Sequence, residues 1–278
     1  LPGFRTNPKT GLKFALCFAC VGLLYFSTFK SMVQDWILLP EYSHALFVPF
    51  ISLYAVWKHW GRLEHLPVSP AGAGVLVLLF GLCLFLLGNA AAENFTVRVS
   101  FLFVLSGIIL FLLGRPHFRA LLFPIAFLIF TIPLPTILLQ KVTFPMQLIA
   151  SNVAEFSLQA LGVPVFREGN IIHLAGTTLE VAQACSGIRS LLSLLALGTA
   201  FAYFSRRVFW KRALLVLSCF PIAIFVNALR VSATGVLANY YGVSVAERFF
   251  HDFSGVALFV AAFLLLMAVG FLLSKLSP

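Results

Sequence analysis

The sequence predicts an all-α polytopic membrane protein of about eight transmembrane helices, with an outer amphipathic helix and a small β-hairpin ahead of Cys185. Three observations carry that prediction. The 278 residues are 61% hydrophobic and only 10% charged, whereas soluble domains average about 45–50% apolar and about 25% charged. Mean hydropathy is +1.02, which excludes a disordered chain, a secreted disulfide scaffold and an ordinary cytosolic enzyme. The apolar residues also collect in runs near the ~20 residues needed to cross a hydrocarbon core about 30 Å thick. Finally, the basic residues distribute unevenly between those runs. The net charge of +10 falls on bases set singly or in pairs between apolar segments. A nucleic-acid partner would need them gathered on one solvated face, so none is expected.

The whole chain, 1–278, reads as one membrane domain. Runs at 12–29, 44–60, 71–88, 97–114, 118–136, 186–204, 213–230 and 252–274 read as spans. The second is short and carries His44, Pro49 and Lys58. The first is expected to stay in place as a helix and not be removed as a signal peptide, since no small-residue cleavage pattern follows it. Lys and Arg favour cytoplasmic loops. With both termini cytoplasmic, twelve bases, among them Arg62, Arg115, Arg119, Arg206, Arg207, Lys211 and Arg212, fall inside with a single acid, Glu64. The other eight acids fall outside. The inverted topology breaks the rule at almost every loop.

That topology leaves one large outer segment, 137–184. Over Gln140–Gly162 a polar stripe recurs every four residues at Thr143, Gln147, Ser151, Glu155 and Gln159, which predicts an interfacial amphipathic helix. From Val163 to Ala182, short β-prone runs separated by Glu168-Gly169-Asn170 and Ala175-Gly176 predict a small hairpin or meander.

Ionisable groups at membrane depth are costly and so point to function. Cys17, Cys20, Cys83 and Cys219 sit among apolar residues and read as packing groups. Cys185 is different. It lies in Gln183-Ala184-Cys185-Ser186-Gly187-Ile188-Arg189, at the start of a span, where backbone N–H groups stabilise a thiolate. Arg189, four residues on, shares its helix face. A thiolate nucleophile also needs an acid–base partner and a group to hold developing negative charge. His251 opens the eighth span, and Arg230 closes the seventh beside Asn227. The predicted topology puts Cys185, Arg230 and His251 at one depth, with His44 at the same level. No H-E-x-x-H, Walker A or paired zinc-ligand spacing occurs, so no metal and no cofactor is expected.

At these residues the chain resembles the exosortase/archaeosortase family of membrane-embedded cysteine transpeptidases. The matching strings are Ala184-Cys185-Ser186-Gly187-Ile188, Asn227-Ala228-Leu229-Arg230, His251-Asp252 with Ser254-Gly255, and Tyr42-Ser43-His44 through Pro49. They keep the family's order from about residue 35 to 275. The resemblance implies cleavage of C-terminal PEP-CTERM-type sorting signals on the outer face of a bacterial inner membrane, often in bacteria that make exopolysaccharide. Cys185 would form an acyl-enzyme, His251 would act as base and acid, and Arg230 would stabilise the oxyanion or the thiolate. His44, Asn227, Arg189 and Ser186 would line or support the site. The implied partners are membrane-anchored proteins with such signals and the bilayer itself. Two other readings stay open on the residues alone. One is a transporter or export component in which Arg230 and Glu180 line a polar path; the other is a cysteine peptidase that uses only water.

Overall fold

The structure is a computed structural model describing residues 8–174, 177–181, 187–205, 208–242, 244–245 and 255–276. It is mostly helical, with one three-stranded antiparallel sheet. Four described helices are long and apolar enough to cross a membrane, and there are up to six spans if each of two bent helix pairs counts as one. The chain divides into two compact units, Leu1–Leu134 and Pro135–Pro278.

The first unit contains α1 (Pro8–Leu24), α2 (Phe26–Leu38), a 3₁₀ helix (Pro40–Leu46), α3 (Val48–Lys58), α4 (Trp60–Glu64), α5 (Ala73–Ala90), α6 (Asn94–Leu112) and α7 (Arg115–Phe127), which tightens into 3₁₀ geometry at Leu128–Thr131. The run expected as one span at 12–29 is a helix bent by 64° between Leu24 and Phe26, continuing to Leu38. Tyr25 sits at the break. It is fully buried, its hydroxyl is 2.7 Å from Ser100 Oγ, and its ring meets Phe85 edge-on at 4.9 Å. The run at 44–60 begins in the 3₁₀ helix, and its α-helical part has only 11 residues. Pro40 and Pro49 each sit in the first turn of a helix, where a missing N–H is tolerated but the preceding helix cannot continue.

A stripe of small residues joins α5 to α6. Gly74, Gly81 and Gly88 are all buried. A Cβ there would lie 2.3 Å from Phe111 N, 2.8 Å from Val104 N and 2.7 Å from Val97 Cγ2. Gly107 answers from α6, where a Cβ would come within 2.5 Å of Leu78 N. Such close approach maximises dispersion contact between helices in lipid, where no hydrophobic drive acts between them. Glu93 caps α6, its carboxylate accepting from Phe95 N at 2.9 Å and Thr96 N at 2.6 Å. Gly114 ends the helix at φ 88°, with Ser69 O filling the place of a Cβ.

The second unit contains α8 (Thr136–Ala160), β1 (Val165–Glu168), β2 (Ile171–Leu174), β3 (Thr177–Glu180), α9 (Gly187–Ser205), α10 (Phe209–Tyr241) and α11 (Gly255–Lys275). The strands form a meander in the order β1-β2-β3, with Val165 opposite Leu174 and Ile171 opposite Glu180. Its buried side, with Ile172, Val163 and Val181, packs on Ala154 and Leu158 of α8 and on Val231 of α10. A second core joins Leu191 and Leu194 of α9, Cys219, Ile222 and Val226 of α10, and Ala262 and Leu266 of α11.

The polar stripe of α8 turns mostly toward the sheet. Ser151 is fully buried, with its hydroxyl 3.1 Å from Gly169 O. Glu155 pairs with Arg167 at 2.8 Å, and Gln147 Oε1 accepts from Asn170. Ile149, Val153 and Phe156 remain exposed instead. A helix that offers apolar side chains outward and polar ones to its own protein is built for contact with lipid.

The seventh run was expected to end at Arg230, but α10 continues to Tyr241. Past Arg230 the residues are mostly small. The Ser232 and Thr234 hydroxyls donate back to Ala228 O and Arg230 O at 2.9 Å each, so they satisfy themselves within the helix without breaking it. Arg230 is therefore an interior residue of a long helix and not a terminal one.

Candidate functional site

Of the three residues expected to carry chemistry, Arg230 is described. Cys185 and His251, together with Ser186, lie outside the described residues. Arg230 is only 2% exposed and ranks first by volume among the fully buried side chains. An arginine cannot shed its charge, and burying it unsupported would cost several kcal/mol. Among the described residues no carboxylate is buried to the same degree.

Asn227 lies one turn before Arg230 on α10. It is buried, and among the described residues its Oδ1 accepts no hydrogen bond. A buried amide oxygen left unmet costs free energy, so it marks a place where a donor would be welcome. Ser232 and Thr234 extend this polar stretch, and the sequence reading did not single them out. Their signal was present as two hydroxyls within four residues of a membrane-depth arginine.

The chain on both sides of residues 182–186 is anchored to this stretch of α10. Before the segment, Val181 is fully buried in the cluster that includes Val231, adjacent to Arg230. Val181 N also donates to Asn170 O at 2.9 Å. After the segment, Leu191 and Leu194 of α9 pack in the cluster with Val226, Ile222 and Cys219. Where α9 crosses α10, a Cβ on Gly198 would lie 2.6 Å from Cys219 Sγ. α11, which starts four residues after His251, joins the same cluster through Ala262 and Leu266.

The remaining expected residues separate. Arg189, in the first turn of α9, is exposed, so its side chain is not part of the buried polar stretch. His44 belongs to the first unit, in the 3₁₀ helix Pro40–Leu46. Its Nδ1 is buried without a hydrogen bond among the described residues, and its ring lies 6.3 Å from that of Tyr42. Tyr42 is itself buried, and its hydroxyl accepts from Leu134 N at 3.0 Å. Cys219 is buried, with its thiol 3.5 Å from Leu194 O, as a packing residue should be. Cys20 and Cys83 are exposed, and Cys17 is half-buried. Among the described residues no group of His, Cys, Asp and Glu is arranged to hold a metal.

Neither curated proteins nor solved structures gave a significant match. A family match covers residues 36–268, which include every string of the resemblance and most of each unit of the fold. The chain belongs to the transmembrane exosortase (Exosortase_EpsH) family, multi-pass membrane proteins that process PEP-CTERM substrates.

Proposed function

We propose that this protein is a cysteine transpeptidase that cleaves C-terminal PEP-CTERM-type sorting signals through an acyl-enzyme on Cys185. The observation that supports it most is the full burial of Arg230 on the stretch of α10 to which the chain flanking Cys185 is anchored. A fixed guanidinium in a water-poor site lowers the pKa of a neighbouring thiol and stabilises an oxyanion far more than it would in water.

In this reading the Cys185 thiolate attacks the scissile carbonyl, and the negative charge on its oxygen is held by Arg230. His251 then gives a proton to the departing amine, the C–N bond breaks, and a thioester remains. An acceptor amine, hydroxyl or water, deprotonated by His251, attacks the thioester and releases Cys185. Asn227 Oδ1, one turn away, accepts from an incoming donor. The positive charge bias of the loops puts both termini in the cytoplasm and this chemistry on the opposite face.

The test is processing of a tagged sorting-signal substrate in cells. Cys185→Ala and His251→Ala should each abolish it while leaving insertion and abundance intact. Unchanged processing in Cys185→Ala would overturn the assignment. Mass spectrometry of the new substrate C-terminus separates transpeptidation from hydrolysis: a conjugated carboxyl identifies an acceptor, and a free one identifies water.

A further inference from the structure

The first unit holds a half-open cavity of about 570 Å³, lined by α2, α3, α6 and α7, that the proposed chemistry does not use. Each of these helices gives it a single stripe; on α6 the stripe is Arg98, Phe101, Leu105 and Ile109. Its walls are apolar apart from a few groups, and most of those have already spent their donors. Trp36 Nε1 donates to Thr131 O at 2.7 Å, Thr131 Oγ1 to Leu128 O, and Ser52 Oγ to Pro124 O at 2.7 Å. Arg98 is the exception. It is only 4% exposed, and its hydrogen bonds, to Ser31 and Asp35, both leave from Nη2. The hydrogen bonds seen for Arg98 among the described residues use Nη2 alone, and guanidinium N–H groups are suited to phosphate oxygens.

We propose that this cavity is a phospholipid site, with one acyl chain inside it and the lipid phosphate on Arg98. Two features favour a lipid tail over a protein helix. At ~1.5 Å per residue, the eleven steps from Arg98 to Ile109 cover about 16 Å, close to half of a ~30 Å hydrocarbon core. The site is thus one leaflet deep, and Arg98, the one charged residue among its described lining residues, stands at one end. The open side is bordered by Phe18, Val33 and Leu53, still 50%, 40% and 65% exposed, which is where a lipid would slide in from the bilayer. The Asp35 carboxylate balances Arg98 when the site is empty, and Ser31 helps hold the guanidinium in place.

This inference stands apart from the peptidase reading, and its test uses no processing assay. The full-length protein, purified in detergent, is titrated with dioleoylphosphatidylglycerol or dioleoylglycerol and examined by native mass spectrometry. Wild type should retain one phosphatidylglycerol, with dioleoylglycerol bound at least threefold more weakly. Val33→Trp, a change at the open rim, should lower phosphatidylglycerol retention at least threefold. The double variant Arg98→Gln/Asp35→Asn, which leaves neither charge without its partner, should remove the preference for phosphatidylglycerol. Smaller differences would mean that lipid binds only around the protein's outer surface, and would overturn the proposal. So would displacement of the retained lipid by a synthetic apolar spanning helix, which would make a helix the occupant.

Discussion

At the scale of single residues, the buried cations separate into kinds. Lys211 reaches Leu276 O at 2.8 Å, and Arg98 is tied to Asp35. Arg230 is embedded in the middle of a helix, with the amide oxygen of Asn227, one turn away, unmet among the described residues. If Arg230 serves as a fixed oxyanion donor, charge alone should not replace it, because an ammonium lacks the planar fork. Arg230→Lys and Arg230→Gln should both lower processing, and the loss for Gln should be on the order of 10²–10³-fold, the cost of removing one such donor. Pulse-labelled processing rates, read beside membrane abundance, check this. A Lys variant at wild-type rate would reduce Arg230 to a simple positive charge. Arg230 was legible in the sequence as a membrane-depth cation inside Asn227-Ala228-Leu229-Arg230. Its interior position was not, because a charged residue at the end of an apolar run looks the same as a helix terminus until packing is known.

At the scale of elements, the contact between α5 and α6 makes the clearest demand on sequence. Glycine recurs every seven residues at 74, 81 and 88, two helical turns apart, and each meets the backbone or a β-branched side chain of α6. Gly81→Leu places side-chain atoms where Val104 N already stands, and overpacking of this kind costs about 1–3 kcal/mol. The expected result is a lower thermal unfolding midpoint in detergent, while Gly61→Ala, with open space around it, should leave the midpoint unchanged. Equal midpoints for both variants would show that the two helices adjust freely. The glycine period was visible in the sequence, but an apolar run rich in glycine reads only as "span" until a partner helix is identified. The stripe on α8 teaches the complementary lesson. Periodicity picks out its polar stripe, but periodicity alone cannot say whether a residue of that stripe stays exposed, as Gln159 does, or meets a neighbouring sheet, as Ser151 and Glu155 do.

At the scale of the whole molecule, composition was enough to show a multi-pass membrane protein, because a chain with 10% charged residues cannot cover a soluble surface. The number of spans was harder to read, for local reasons. Tyr25 marks a bend inside one apolar run, and Pro49 opens a helix too short to cross. Orientation rests on a different property from length, the loop charge, and can be tested separately. The turn after α4 follows Lys58 and Arg62, and the link from α9 together with the first turn of α10 holds Arg206, Arg207, Lys211 and Arg212, whereas the meander carries Glu168 and Glu180 against Arg167 alone. Since bases near span ends favour the cytoplasm at roughly 1 kcal/mol per residue close to an anionic surface, the first two sites should be cytoplasmic and the meander should lie across the membrane. Single cysteines introduced at Gly61, Phe209 and Gly169 in a background lacking the native five would read this with a membrane-impermeant thiol reagent on intact cells lacking outer-membrane barriers. Labelling at 169 but not at 61 or 209 is expected. The reverse pattern would invert the topology, and would move the peptide chemistry proposed for Cys185 to the cytoplasmic face.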